Sequence, residues 1–197
     1  MTAMGRTNVA GLAGLAGLGG IAATLCDANH VATGTLRYPH PVLFGQAWWV
    51  APGFFVAFLG MGAAYVIAAP RMPAGLSTQQ SRAPGSAAAL AETLTTFVLV
   101  YLSSGFGNES PALLSLVFYG LFGLRWVFSY ERGWLLAVAV ALAIGGMTTE
   151  GTLGALELVA YRHADVFHVP LWLGAVYMHG AFALREGVRA LVFRARR

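Results

Sequence analysis

GQAWWVAPGFFVAFLGMGAAYVIAA, residues Gly45 to Ala69, decides the fold. It carries no charged residue. At a helical rise of 1.5 Å per residue it is long enough to cross a hydrocarbon core of about 30 Å, even when tilted. Trp48 and Trp49 open it, amphipathic rings suited to a lipid–water boundary. Pro70 and Arg71 close it. Pro52 falls early in the helix, where its missing N–H costs little.

The rest of the chain repeats that pattern. Of 197 residues, 57% are hydrophobic and only 10% are charged. Soluble domains carry about 25% charged residues, so a soluble fold of this composition would have little surface to show to water. Apolar segments are expected as spans at about 9–25, 45–69, 87–104, 112–128, 134–152 and 166–184. The fold class expected is therefore all-α: a polytopic membrane protein, one compact bundle of six transmembrane helices over residues 1–197. Gly5 to Leu25 is taken as the first span rather than a cleaved leader, because Arg6 alone precedes it and no clear cleavage site follows. Its glycines Gly11, Gly14, Gly17, Gly19 and Gly20 leave one face nearly bare for close helix packing. Cys26 to Phe44 is expected as a loop. The helix holding Glu150 either ends there or continues toward Glu157. No internal repeat is evident in the residues.

All twelve basic residues are arginines. With six spans, one side collects Arg6, Arg71, Arg82, Arg125, Arg132, Arg185, Arg189, Arg194, Arg196 and Arg197. The other side has Arg37 and Arg162. That bias places both termini in the cytoplasm. Arginine- and alanine-heavy, lysine-free usage points to a GC-rich bacterial genome, so the membrane expected is a bacterial inner membrane. The net charge of +4 sits in loops and the tail without aromatic interleaving, so no nucleic-acid partner is expected.

Ionisable groups at membrane depth are the first functional candidates. Glu92 and Glu109 fall near span ends. Glu150, within TTEGT between two apolar runs, is either an ordinary boundary residue or one that lines the polar end of a site. Cys26, the only cysteine, forms no internal disulfide. Cys26, Asp27 and His30 share a helical turn, but there is no HExxH motif, and His168 and His179 are too far apart for one mononuclear site. No metal and no cofactor is expected. Neither GxSxG nor GxxxxGK[ST] is present, so no catalytic residue is assigned. The aromatic set is more informative. Tyr101, Tyr119 and Trp126, with Trp48 and Trp49, border spans rich in glycine and alanine. Such spans leave volume for an apolar guest.

Four stretches carry a family resemblance. Ala47-Trp48-Trp49-Val50-Ala51-Pro52 opens the second span. Phe97-Val98 is followed by Ser103-Ser104. Gly123-Leu124-Arg125-Trp126-Val127-Phe128 precedes Arg132 and Gly133. Tyr161 to Leu173 reads YRHADVFHVPLWL. In order and spacing these resemble the insulin-induced-gene (Insig) family of six-span endoplasmic-reticulum proteins, and its short prokaryotic relatives. The resemblance implies a non-enzymatic lipid-binding protein, since animal members hold an oxysterol and retain a sterol-sensing escort protein. Phe97 matches the family's ligand-lining phenylalanine. The family's sterol-linked glutamine falls at Ala112, its escort-contacting aspartate at Ser129 and the first tryptophan of its pair at Arg125. A eukaryotic-type escort is thus not expected, and a diacylglycerol is favoured over a sterol-like ligand. The expected lipid-binding residues are Trp48, Trp49, Phe97, Tyr101, Ala112, Tyr119, Trp126 and Glu150. Homo-oligomerisation through small-residue faces is an open expectation. The alternatives are a small transporter, which would show solute flux, and a lipid-modifying enzyme, which would lose turnover on changing Glu150 or His30.

Overall fold

A computed structural model describes residues 8–76 and 79–193 of the chain. Arg6, Arg194, Arg196, Arg197 and both chain ends, which enter the orientation argument, lie outside the described residues. Among the described residues there are six α-helices: α1 (Val9–Ala32), α2 (Val50–Ala68), α3 (Ala87–Phe106), α4 (Pro111–Val127), α5 (Arg132–Ala155) and α6 (Trp172–Gly187). A π-helical turn, Val188–Val192, prolongs α6. Two short strands, β1 (Leu36–Arg37) and β2 (Ala160–Tyr161), pair antiparallel at the opposite end of the bundle.

Four stretches are long and apolar enough to cross a bilayer: Val9–Ala32, Val50–Arg71, Ala87–Phe106 and Arg132–Ala155. Two of the six expected spans fall short of that standard among the described residues. Helix α4 is apolar but has 17 residues. Helix α6 has 16 and carries Arg185 and Glu186. Its position explains its composition. It lies at the centre of the bundle, packed by α3, α4 and α5, and most of its residues are buried. A helix surrounded by protein needs no continuous apolar surface, because its polar groups meet partners instead of lipid.

Element boundaries also depart from expectation. Cys26 to Ala32 is helix, not loop. No proline or glycine interrupts DANHVA, and its polar side chains find partners inside the fold. The chain turns at Gly34, where φ is +68°. Helix α2 starts at Val50, leaving Trp48 and Trp49 before it. Pro52 sits in its first turn, among N–H groups that have no intrahelical acceptor. Helix α5 runs past Glu150 to Ala155, and Glu157 takes a left-handed conformation at φ +58°. Residues Val166 to Val169 form a tight turn rather than the start of a span, and α6 begins only at Trp172.

The expectation of no repeat is overturned by the geometry. Hairpins α1–α2 and α5–α6 are built alike. Each long first helix leads to a two-residue strand, then to a tight turn: Leu43 bridges Gln46, and Val166 bridges Val169. Both central residues of each turn have positive φ: Phe44 and Gly45 in one, Phe167 and His168 in the other. One constant spacing separates Asp27 from Glu150, Arg37 from Ala160, Tyr38 from Tyr161, His40 from His163 and Trp49 from Trp172. Arg37 pairs directly with Ala160 across the ribbon. Equivalent residues paired antiparallel mark an approximate two-fold axis between the hairpins. Few equivalents share a side chain, Tyr38 and Tyr161, His40 and His163, Phe44 and Phe167, and Trp49 and Trp172 among them, so the likeness lies mainly in backbone conformation.

Of the small-residue face expected on α1, Gly19 and Gly20 pack on α2, Gly11 meets Leu191, and Gly14 and Gly17 face open space. A side chain at Gly19 would enter the Phe58 ring, and one at Gly62 would meet Leu12. Helices approach this closely in lipid where small residues meet.

The candidate lipid cavity and its polar ends

Helix α2 packs on α1, and α5 packs on α6, but α2 and α5 scarcely touch. Between them lies a cavity of about 580 Å³. That is within the range of roughly 300–1,000 Å³ for small-molecule sites. Facing surfaces of α2 and α6 line it, with the α5 surface from Ala141 to Leu153. Phe97 and Tyr101 of α3 reach its inner wall, their rings edge to face with centroids 5.8 Å apart. A second depression of about 660 Å³ runs between α3 and α4. Its walls include Leu99, Phe106 and Leu113, each more than half exposed, so it is an outer groove without a buried polar group.

The cavity's polar groups gather at the β1–β2 end. Glu150 accepts from the Tyr177 hydroxyl at 3.0 Å and the Tyr161 hydroxyl at 3.3 Å. Thr149 and Tyr38 line the same end. Tyr38 in turn donates to Asp27 at 2.8 Å. The Gln46 amide donates to the same Asp27 oxygen at 2.7 Å and to the Thr24 carbonyl at 2.8 Å. Burial, and then the Asp27 and Glu150 carboxylates, push the Tyr38 phenol far above its ordinary range. Burial followed by Glu150 does the same to Tyr161. Both phenols therefore remain protonated donors at physiological pH. Removing the acceptor strands the Tyr38 donor in a buried site. Asp27→Ala is expected to cost about 3 kcal/mol, visible as a lower thermal unfolding midpoint in detergent, with Asp27→Asn milder.

The structure brings Trp49, Phe97, Tyr101 and Glu150 together around this cavity. Trp48 is 74% exposed and does not line it. Ala112 is exposed in the first turn of α4. Tyr119 donates to the Leu171 carbonyl at 3.2 Å, and Trp126 to the Arg132 carbonyl at 2.9 Å. These four lie outside the cavity lining. Tyr38, Tyr177 and the Gly145-Gly146 pair also line the cavity, beyond the residues expected from the sequence. The glycine pair in mid-span is the sequence signal for it, since two adjacent glycines leave a helix face without side chains.

Beyond the cavity, three further polar clusters brace the bundle. His30 hydrogen-bonds Ser104 at 2.7 Å. The Ser104 hydroxyl donates to the Tyr101 carbonyl at 2.6 Å, so the imidazole Nε2–H is the donor to Ser104. At the end of the bundle away from the β ribbon, Glu186 accepts from Arg185 at 3.0 Å, Arg189 at 2.6 Å and the Tyr130 hydroxyl at 2.5 Å. Arg185 also donates to the Tyr130 carbonyl and to Ser129 Oγ, each at 3.0 Å. Its guanidinium lies 3.7 Å from the centre of the Tyr130 ring. Arg125 donates to His179 Nδ1 at 3.0 Å, while His179 Nε2 donates to the Phe118 carbonyl at 3.1 Å. Among the described residues no cluster of three or more His, Cys, Asp or Glu is placed to hold a metal ion.

The architecture defines a multi-pass membrane protein: a helical bundle with an apolar cavity that has a polar group at one end. No family model matches the chain. No curated protein matches it. Its fold is that of a mycobacterial Insig homolog, MvINS from Mycobacterium vanbaalenii. That crystal structure superposes with a TM-score of 0.78 at 19% identity, over 98% of this chain and 99% of the other. A cross-linked MvINS trimer gives a TM-score of 0.73 at 20% identity, over 93% and 96% of the two chains. The four sequence stretches that resemble the Insig family are thus carried on an Insig-type fold.

Proposed function

We infer that this is a non-catalytic, Insig-like lipid-binding protein of a bacterial inner membrane. It holds a diacylglycerol- or sterol-like lipid between α2 and α5. The observation that carries this reading is the cavity itself. It has the volume of a small-molecule site, its walls are apolar, and its polar groups sit at one end. On this reading the chain is one domain of six spans with both termini cytoplasmic, α4 and α6 crossing as the shorter pair. The trimeric MvINS structure supports self-association. Ser129, at the family's escort-contacting position in the resemblance, is engaged by Arg185 inside the fold. That occupancy speaks against a eukaryotic-type escort contact.

Native mass spectrometry of the detergent-purified protein tests the assignment. A neutral lipid adduct is expected. Phe97→Ala removes an aromatic wall and should weaken retention about tenfold, the equivalent of roughly 1.4 kcal/mol. Trp126→Ala, outside the lining, should leave retention unchanged. A protein that stays empty in mixed lipid vesicles overturns the reading.

A further inference from the structure

Arg125 and Glu92 carry opposite charges at the lipid-facing end of the α3–α4 hairpin, and among the described residues neither forms an ion pair. Arg125 stands in the last turn of α4. One of its N–H groups donates to His179 Nδ1 at 3.0 Å. Because His179 donates through Nε2 to the Phe118 carbonyl, its Nδ1 carries a lone pair and the imidazole is neutral. The Arg125 guanidinium also lies 4.1 Å from the centre of the Phe182 ring. These contacts hold the cation half-buried and fixed in place, but they do not neutralise it. The buried carboxylate of Glu186, at the same end of the bundle, is taken up by Arg185, Arg189 and Tyr130.

Glu92 is the counterpart on α3. It is exposed in the second turn of that helix, and its charge acts on Arg125 across the gap between the helices. Thr96 and Leu121 line the outer groove between α3 and α4. Glu92 lies one turn before Thr96 and Arg125 one turn after Leu121, each on the same helix face. The two charges therefore flank the mouth of the groove at the end away from the β ribbon. Leu124, Val127 and Phe128, all exposed, surround Arg125 with apolar surface. An ionised group beside lipid is costly unless it meets a partner.

Two opposite charges that act on one another without joining complement a molecule that carries both. Guanidinium N–H groups match the oxygens of a phosphate, and a carboxylate accepts hydrogen bonds from a primary ammonium. Phosphatidylethanolamine presents both groups in one headgroup. Phosphatidylglycerol offers the phosphate without a cation. The quaternary ammonium of phosphatidylcholine has no N–H to donate.

We propose that Arg125 and Glu92 form a headgroup site for a phospholipid with a primary ammonium, in which Arg125 binds the phosphate and Glu92 the ammonium. On the orientation proposed above, this lipid belongs to the inner leaflet. The site is separate from the α2–α5 cavity, which neither residue lines.

The test equilibrates the full-length protein with vesicles of dioleoyl phosphatidylethanolamine, phosphatidylglycerol and phosphatidylcholine in equal parts, followed by native mass spectrometry. A neutral lipid held in the cavity differs in mass and reports separately on that reading. Phosphatidylethanolamine is expected to be retained about fivefold over each of the others, the equivalent of one exposed ion pair. Glu92→Gln should abolish the preference over phosphatidylglycerol. Arg125→Gln keeps an N–H for His179 and should lower retention of all three phospholipids. Arg71→Gln removes another exposed arginine from the same end of the bundle and should leave the preference intact. Equal retention of the three lipids by the parent, or a preference that Glu92→Gln leaves untouched, overturns the proposal. So does a lower unfolding midpoint in Glu92→Gln with lipid retention unchanged, because the two charges would then serve only each other.

Discussion

Glu186→Ala should destabilise the protein severely. The Glu186 carboxylate is 3% exposed and receives Arg185, Arg189 and the Tyr130 hydroxyl. Without it two guanidiniums face each other across a buried space with no anion between them. Breaking a buried ion pair from one side costs about 3–5 kcal/mol, because the charge left behind is neither hydrated nor paired. For a chain of this size that corresponds to a fall of roughly 10 °C in the unfolding midpoint. Glu186→Gln keeps one acceptor oxygen and should fall between. Scanning fluorimetry in detergent measures both. An Ala variant as stable as the parent would mean that the cluster contributes little. The Arg162–Glu109 pair on the opposite end provides the contrast. Its bonds are 2.5 and 3.0 Å long, but its side chains are 44% and 74% exposed. Solvent screens it, and Glu109→Gln should leave the midpoint unchanged.

That contrast also shows which parts of the molecule the residues alone could announce. An uncharged segment such as Gly45 to Ala69 declares a membrane helix, because lipid requires an apolar surface all round. Helix α6 escapes that logic, since protein rather than lipid surrounds it, and Arg185 and Glu186 are buried beside each other in the same helix. Asp27 and His30 resembled loop residues for the same reason. Their helix is polar only where Tyr38, Gln46 and Ser104 wait to meet it, and those partners are distant in the chain or follow a turn. Phe97, marked by the resemblance, and Glu150, marked by its place between two apolar runs, both line the cavity. Trp126, marked by the same resemblance, lies outside that lining: it packs against the cluster that holds Phe122 and Leu135, and its N–H donates to the Arg132 carbonyl. The repeat was hard to read because few equivalent positions share a side chain, and the two turns reach the same left-handed conformation with Gly45 in one and His168 in the other.

Gly11→Ala should separate the two roles that glycine plays in α1. At Gly11 a methyl group would collide with the Leu191 carbonyl oxygen, a backbone atom that cannot turn aside. The same carbonyl accepts from the Asn8 side chain at 3.0 Å, and the Asn8 N–H donates to Val192 at 3.2 Å. The start of α1 is thereby fastened to the π-helical turn that follows α6. A methyl inserted there must push the two apart, losing these bonds along with the packing, at a cost of about 2–3 kcal/mol. Gly14 and Gly17 have nothing within 4 Å of the position their methyl would take. Ala at either should be neutral or stabilising by up to about 1 kcal/mol, since glycine is the weaker helix former. The three single variants, measured side by side by thermal unfolding in one detergent, should therefore differ in sign as well as size. Equal effects at all three positions would mean that the glycines act through helix propensity alone and that the contact between α1 and the Val188–Val192 turn does not hold the bundle closed.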